Sequence, residues 1–90
     1  MSAGFELEVL AKDYKESLDI RLAAIERLDS RENRHTLEFL AEQHDGLKQV
    51  RIAAIKRLDP RESERTLKFL AGHRSEDPDI RRAAIEKLKP

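Results

Sequence analysis

Apolar residues recur along this chain at helical spacing. Leu37, Leu40 and Ala41 stand three and four positions apart, and Phe39 widens their apolar stripe. A second group with the same spacing consists of Val50, Ala53, Ala54 and Leu58, with Ile55 beside them. The chain is dominated by Ala, Leu, Glu, Lys and Arg, which favour helices, and β-branched residues are too irregular for strands. The pattern therefore predicts an all-α fold.

Both patterns recur with a period of 30 residues and without gaps. The more regular string reads RLAAIERL at 21–28, RIAAIKRL at 51–58 and RRAAIEKL at 81–88. The other reads TLEFLA at 36–41 and TLKFLA at 66–71, with a degenerate copy, ELEVLA, at 6–11. A fixed period of this length is typical of repeat proteins. We therefore predict one domain of three units, 1–30, 31–60 and 61–90.

Each unit is predicted to contain two helices, A followed by B. The A helices are expected at about 4–15, 31–43 and 61–73, and the B helices at about 18–28, 48–58 and 78–88. One pair of short helices cannot bury its apolar face, whereas three adjacent pairs share a core. Two consecutive alanines in each B helix allow a neighbouring helix to approach closely. Leu and Phe side chains of the A helices are expected to fill the space between the layers.

Capping residues predict where the helices begin and end. Asp59 precedes a proline and has a glutamate three positions later, which is the pattern of a capping box. Asp29 has a glutamate at the same distance, and Asp77 also precedes a proline. Gly46 and Gly72 lie near the ends of A helices, where a positive φ is often required.

The string DPDIRRAAIEKL at 77–88 resembles the second helix of HEAT-like repeats, in particular the short type of about 30 residues found in phycobilisome lyases. The resemblance implies a right-handed α-α superhelix of three antiparallel helix pairs. It also implies that the A helices lie on the convex face and the B helices on the concave face. Proteins with such repeats recognise other proteins more often than they catalyse reactions.

One arginine, present as Arg21, Arg51 and Arg81, recurs at the start of every B helix. In a structural interpretation, its planar fork reaches a backbone carbonyl or a carboxylate such as that of Asp19 or Asp79. In a functional interpretation, the arginines form an anion-binding row on the concave face. We favour the structural interpretation, because a residue that repeats with the period serves the repeat itself. It predicts a lower melting temperature for Arg51→Ala.

Charge and composition narrow the possible functions. The chain has 18 basic and 18 acidic residues, and this zero net charge argues against a general nucleic-acid binder. Aromatic residues for base stacking make up only 4% of the chain. Phosphate binding through the last two B helices remains an alternative function. The basic residues concerned are Lys48, Arg51, Lys56, Arg57, Arg81, Arg82, Lys87 and Lys89.

Patterns for catalysis and metal binding are scarce. The sequence has no cysteine, no serine in a Gly-x-Ser-x-Gly context and no Gly-rich phosphate loop. His44, Asp45 and His73 form a weak metal-site candidate, because the two histidines occupy nearly equivalent places in adjacent units. We therefore predict a protein that is not an enzyme and has no metal or cofactor. An accessory lyase-like or metal-dependent enzyme is the third alternative.

The sequence also bears on where the protein resides. No segment is long and apolar enough to cross a bilayer. The N-terminal residues lack the basic and apolar regions of a secretory signal. Together with the absence of cysteine, these features predict a cytoplasmic protein.

The position held by Leu22, Ile52 and Arg82 changes while its neighbours stay fixed, so the fold does not dictate it. We therefore predict a binding surface for a protein partner on the concave face of the B helices. Its residues are Arg21, Leu22, Arg51, Ile52, Lys56, Arg81, Arg82 and Glu86. The last unit keeps the apolar Ile85 and Leu88 without a polar cap, which makes self-association through this unit a further expectation.

Overall fold

The computed structural model describes residues 3–90, and this part of the chain is all-helical, with six α-helices and no strand. The predicted all-α fold is thereby confirmed. Within the same residues, no helix combines the length and the apolar composition that crossing a bilayer requires. The helices are α1 (Ala3–Lys12), α2 (Leu18–Glu26), α3 (Arg34–Glu42), α4 (Lys48–Arg57), α5 (Glu64–Gly72) and α6 (Pro78–Leu88).

The helices pack as three successive pairs. α1 packs on α2, α3 on α4, and α5 on α6. α4 also packs on both α2 and α6, and these contacts are more extensive than those of α3 with α1 and α5. The second helices of the pairs therefore form the more closely packed layer.

The core repeats with the sequence. The second alanine of each Ala-Ala step, at positions 24, 54 and 84, is at most 3% exposed, whereas the first is exposed in the first pair and partly exposed in the other two. Ile25 and Ile55 are completely buried. Ile85 has the same position in the third pair but is 45% exposed, because no further helix pair of the structure covers it. Burial of these isoleucines thus reports the packing of one pair on the next.

The first helix of the second pair begins later than predicted. Asp29 accepts hydrogen bonds from the backbone N–H groups of Arg31, at 2.9 Å, and Glu32, at 2.8 Å. These bonds cap a single turn, which ends at Asn33 (φ −106°, ψ 24°), outside the helical region. α3 then starts at Arg34 instead of residue 31. The predicted cap forms, but it caps a separate turn that precedes the helix.

The third pair has the same arrangement. Asp59 accepts from the backbone N–H of Arg61 at 2.8 Å, and the backbone leaves the helical region at Ser63. α5 therefore also begins three residues later than the predicted start at about residue 61. In contrast, Asp77 caps α6 as expected, because its carboxylate accepts from the backbone N–H of Asp79 at 2.7 Å.

The two glycines do not have the predicted backbone conformation. Among residues 3–90, no glycine has a positive φ. Gly72 is the last residue of α5, and the cap after it, His73, is extended, with ψ at 108°. Gln43 ends α3 in the same way, with ψ at 97°. The chain leaves both helices through an extended residue, so no left-handed residue is needed.

The phenylalanines of α3 and α5 do not fill the space between the layers. Phe39 is 52% exposed and Phe69 is 55% exposed. The leucines of these helices are buried as predicted. For the phenylalanines the prediction is wrong, because Phe39 follows Leu37 by two positions, which places it roughly 200° around the helix from that buried leucine. Val9, at the same repeat position in α1, is also 49% exposed. The three residues share an outward position on the first helices.

Candidate binding surface on the second helices

The second helices carry two adjoining grooves. One groove, of about 400 Å³, lies between α2 and α4, and its walls include Leu22, Glu26 and Ala53. The other, of about 410 Å³, lies between α4 and α6, and its walls include Asp79, Arg82, Ala83 and Glu86. Ile52 and Lys56 line both grooves and therefore join them into one surface.

Five of the eight predicted site residues meet on this surface, which we call the second-helix face. They are Leu22, Ile52, Lys56, Arg82 and Glu86. The other three are the repeated arginines, which line neither groove. Arg21 and Arg51 are only 5% and 3% exposed, and Arg81 is half-buried. The structure thus separates the changing position of the repeat from the fixed arginine beside it.

Each repeated arginine binds the first helix of its own pair. Its Nε atom donates a hydrogen bond to the carbonyl of the alanine ten positions earlier. The acceptors for Arg21, Arg51 and Arg81 are Ala11 at 3.0 Å, Ala41 at 3.0 Å and Ala71 at 3.2 Å. The structural interpretation through a backbone carbonyl is confirmed. The suggested carboxylates are wrong, since Asp79 pairs with Lys48 and Arg82, and no ion pair joins Asp19 to Arg21 within residues 3–90.

The arginine of the second pair also makes a buried ion pair. The two terminal nitrogens of Arg51 donate to the two carboxylate oxygens of Glu76, at 2.9 and 2.6 Å. Both side chains are less than 5% exposed. This bidentate geometry is the strongest that arginine and a carboxylate adopt. It ties α4 to the segment between α5 and α6. The predicted contact of this arginine with a carboxylate therefore forms here, but with Glu76 instead of Asp19 or Asp79.

Glu76 makes the stability of the fold depend on acid pH. The hydrogen bonds from Arg51 hold the pKa of the Glu76 carboxyl below its ordinary value of 4.5. A group with a lowered pKa contributes its full stabilisation above the ordinary pKa and loses it as the pH falls through the lowered pKa. The pKa values of Asp29 and Asp77 are also lowered, principally because these carboxylates accept hydrogen bonds from backbone N–H groups. All three act in the same direction.

We therefore expect the free energy of unfolding to fall as the pH drops below about 4.5. Urea titrations followed by circular dichroism, from neutral to acidic pH, measure this dependence. The variant Glu76→Gln should show a smaller decrease, because it lacks the carboxyl that takes up the proton. An equal decrease in the variant and the wild type would contradict a contribution from Glu76.

Basic residues in the last turns fix the spacing of the second helices. Arg57 donates to the carbonyl of Leu28, two residues beyond the end of α2, at 2.7 and 3.2 Å. Lys87 repeats this contact by donating to the carbonyl of Lys56 at 2.8 Å. Cations favour such helix C-termini, because the last carbonyls are unsatisfied within the helix. The ammonium group of Lys56 itself has no partner within residues 3–90 and is exposed.

An exposed ion-pair cluster lies where α4 approaches the start of α6. Lys48 is 2.9 Å from a carboxylate oxygen of Asp79 and 3.2 Å from one of Asp77. Hydrogen bonds to these two carboxylates raise the pKa of Lys48. Because the cluster is exposed to solvent, its contribution to stability is small. Its main effect is to give one end of the second-helix face paired charges.

The histidines of the metal-site candidate have other neighbours. The His44 Nδ1 atom lies 3.9 Å from a carboxylate oxygen of Glu76, and the ring of His73 stacks on that of Phe69, with centroids 5.2 Å apart. Within the described part of the chain, no group of three or more His, Asp or Glu side chains has an arrangement that could hold a metal ion.

Comparison with known proteins adds no assignment. No family model matches the chain, and no curated protein or solved structure matches it either. The resemblance to HEAT-like repeats therefore stays a prediction from the sequence.

Proposed function

We propose that this protein is a small, non-enzymatic binding module that recognises a protein partner through its second-helix face. The single observation that carries the proposal is the meeting of Leu22, Ile52, Lys56, Arg82 and Glu86 on two joined grooves. Partly apolar grooves bordered by a few polar groups are typical of binding sites. The surface also includes the repeat position held by Leu22, Ile52 and Arg82, which changes between units.

The proposal includes a superhelical arrangement of the three helix pairs. The second helices pack on each other more closely than the first helices do. Such a difference favours curvature with the second helices on the inner, concave side, as the resemblance to HEAT-like repeats implies. A concave second-helix face would surround a bound segment on several sides.

The chemistry of the face indicates what the partner presents. Leu22, Ile52 and Ala53 offer an apolar wall between α2 and α4 for an apolar side chain. Lys56 stands beside this wall with a free ammonium group, which favours a neighbouring carboxylate on the partner. On α6, Arg82 occupies the repeat position that is apolar in α2 and α4, so the face becomes charged toward α6. The expected partner is a peptide segment with an apolar side chain next to an acidic one.

The variant Ile52→Arg tests this proposal with a residue that already occurs at the same repeat position. Arg82 occupies the same repeat position in the third pair, and Ile52 is only partly buried, so we expect the variant to fold, and its circular dichroism spectrum checks this. Loss of a buried apolar contact of about 1.5–3 kcal/mol corresponds to at least about tenfold weaker binding. A peptide library displayed on phage and selected on the wild-type protein supplies ligands for measurement by isothermal titration calorimetry.

Charge-matched variants supply the control. Lys56→Glu reverses a charge on the second-helix face, whereas Arg65→Glu makes the same change at an exposed position of α5. The selected peptides should bind Lys56→Glu more weakly and Arg65→Glu with unchanged affinity. Peptides that bind Ile52→Arg and Lys56→Glu as tightly as the wild type would contradict the proposed binding face.

A further inference from the structure

The interface between the first and second helix pairs lacks a carboxylate that is present at the interface between the second and third pairs. Between the second and third pairs, Glu76 accepts from both terminal nitrogens of Arg51. Gly46 stands 30 positions before Glu76, so the first interface has no carboxylate at this place. The Arg21 side chain donates only from Nε, to the carbonyl of Ala11. Within residues 3–90, its two terminal nitrogens have no hydrogen-bond partner.

A cavity lies where the missing carboxylate would be. It has a volume of about 620 Å³, and Arg21 and Gly46 both line it. Its apolar walls come from Tyr14, Phe39 and Leu47, which are 80%, 52% and 50% exposed. This cavity lies between α1, α2, α3 and the turn that follows α3, and it shares no lining residue with the second-helix face.

The electrostatics of the cavity favour an anion. Arg21 is only 5% exposed, and its guanidinium carries a positive charge that no carboxylate within residues 3–90 pairs with. No side-chain nitrogen or oxygen of the described residues is both fully buried and without a partner, so the unpaired terminal nitrogens of Arg21 are reached from solvent. An anion that enters the cavity can therefore accept hydrogen bonds from both of them. Lys12 adds a second cation to the wall. Asp45, the acidic residue of the lining, makes no ion pair with Arg21 within the described part of the chain.

We propose that this cavity binds a carboxylate attached to an aromatic or other apolar group. The Arg51–Glu76 pair is the internal template, since it shows that the repeated arginine donates both terminal N–H groups to a carboxylate at this place. The apolar walls then receive the group that carries the carboxylate. Both a small aromatic acid and the C-terminal residue of a peptide have this chemistry.

Three probes test this proposal. They distinguish binding of the carboxylate from binding of the apolar group, and a small aromatic acid from a peptide C-terminus. N-acetylphenylalanine mimics a peptide C-terminus, N-acetylphenylalaninamide lacks only the carboxylate, and 3-phenylpropionate is a small aromatic acid. We expect N-acetylphenylalanine to bind, with NMR shifts of the Arg21 side chain, and the amide to bind at least about tenfold more weakly. Tighter binding of 3-phenylpropionate than of N-acetylphenylalanine would identify a small acid as the source, and the reverse order a peptide.

The variant Gly46→Glu supplies the missing carboxylate from within the chain. The turn accommodates it, because the backbone N–H of Gly46 donates to Gln43 at 2.9 Å just as that of Glu76 donates to His73 at 3.0 Å. A Cβ atom at Gly46 would lie 3.1 Å from the Gln43 carbonyl oxygen, so a shift of a few tenths of an ångström suffices. We expect this variant to be folded, more stable to heat, and unable to bind the acids.

Three results would overturn the carboxylate site. These are no binding of either acid at millimolar concentration, equal binding of N-acetylphenylalanine and its amide, and unchanged binding of the acids by folded Gly46→Glu. The result for the second-helix face is independent, since Ile52→Arg should leave binding of the acids unchanged.

Discussion

Replacing Arg51 by alanine is expected to lower the free energy of unfolding by about 3–5 kcal/mol. The substitution removes the hydrogen bond to the Ala41 carbonyl and leaves the Glu76 carboxylate buried without a counter-charge. Most of the loss comes from this unpaired charge, because a buried ion pair that is intact contributes little net stability over an apolar contact of the same size. Urea denaturation near neutral pH, followed by circular dichroism, measures the change.

Arg81→Ala is the matched control for this prediction. Arg81 holds the same repeat position and makes the equivalent bond to Ala71 at 3.2 Å, but no carboxylate pairs with it within residues 3–90. We expect its removal to cost about 1 kcal/mol, which is typical of one hydrogen bond. Equal losses in Arg51→Ala and Arg81→Ala would show that the Glu76 pair is not what makes Arg51 important.

Replacing Ile55 by alanine should lower the free energy of unfolding by about 2–5 kcal/mol. Ile55 is completely buried within the core of the three helix pairs. The substitution removes apolar contacts and leaves a cavity that the neighbouring helices fill only in part. The same denaturation measurement applies, and an unchanged slope of the transition would show that the unfolded state is not affected.

Ile85→Ala makes the identical change at the same repeat position. Ile85 is 45% exposed, so the alanine variant loses less apolar contact and leaves no enclosed cavity. We expect a loss of less than about 1.5 kcal/mol, below the range for full burial of isoleucine. If the two variants were equally destabilised, the stability that Ile55 contributes would not come from packing of one helix pair on the next.

The sequence alone predicts most of the second-helix face. The 30-residue period places Leu22, Ile52 and Arg82 at one repeat position, and packing of equivalent helices side by side then brings them to one surface. The helical type of all six elements follows from the apolar spacing. The second alanine of each Ala-Ala step is buried for the same reason.

The remaining features depend on single residues that break the period. Glu76 is 25 positions from Arg51, and the other two units have Glu16 and Gly46 at its position, so no repeated spacing reveals the ion pair. In the sequence, the turns after Asp29 and Asp59 cannot be distinguished from helix starts, because an aspartate caps a single turn and a helix in the same way. In contrast to these features, the exposure of Phe39 could have been predicted, because the sequence determines its angular position on the helix relative to Leu37.

The central claim is that α2, α4 and α6 lie side by side and form one continuous face. Nuclear Overhauser effects in the folded protein test this claim most directly. We predict cross-peaks between the Arg57 side chain and Leu28, and between the Lys87 side chain and Lys56, pairs that are 29 and 31 positions apart. A spectrum in which α4 shows contacts with α3 but none with α2 or α6 would contradict the claim.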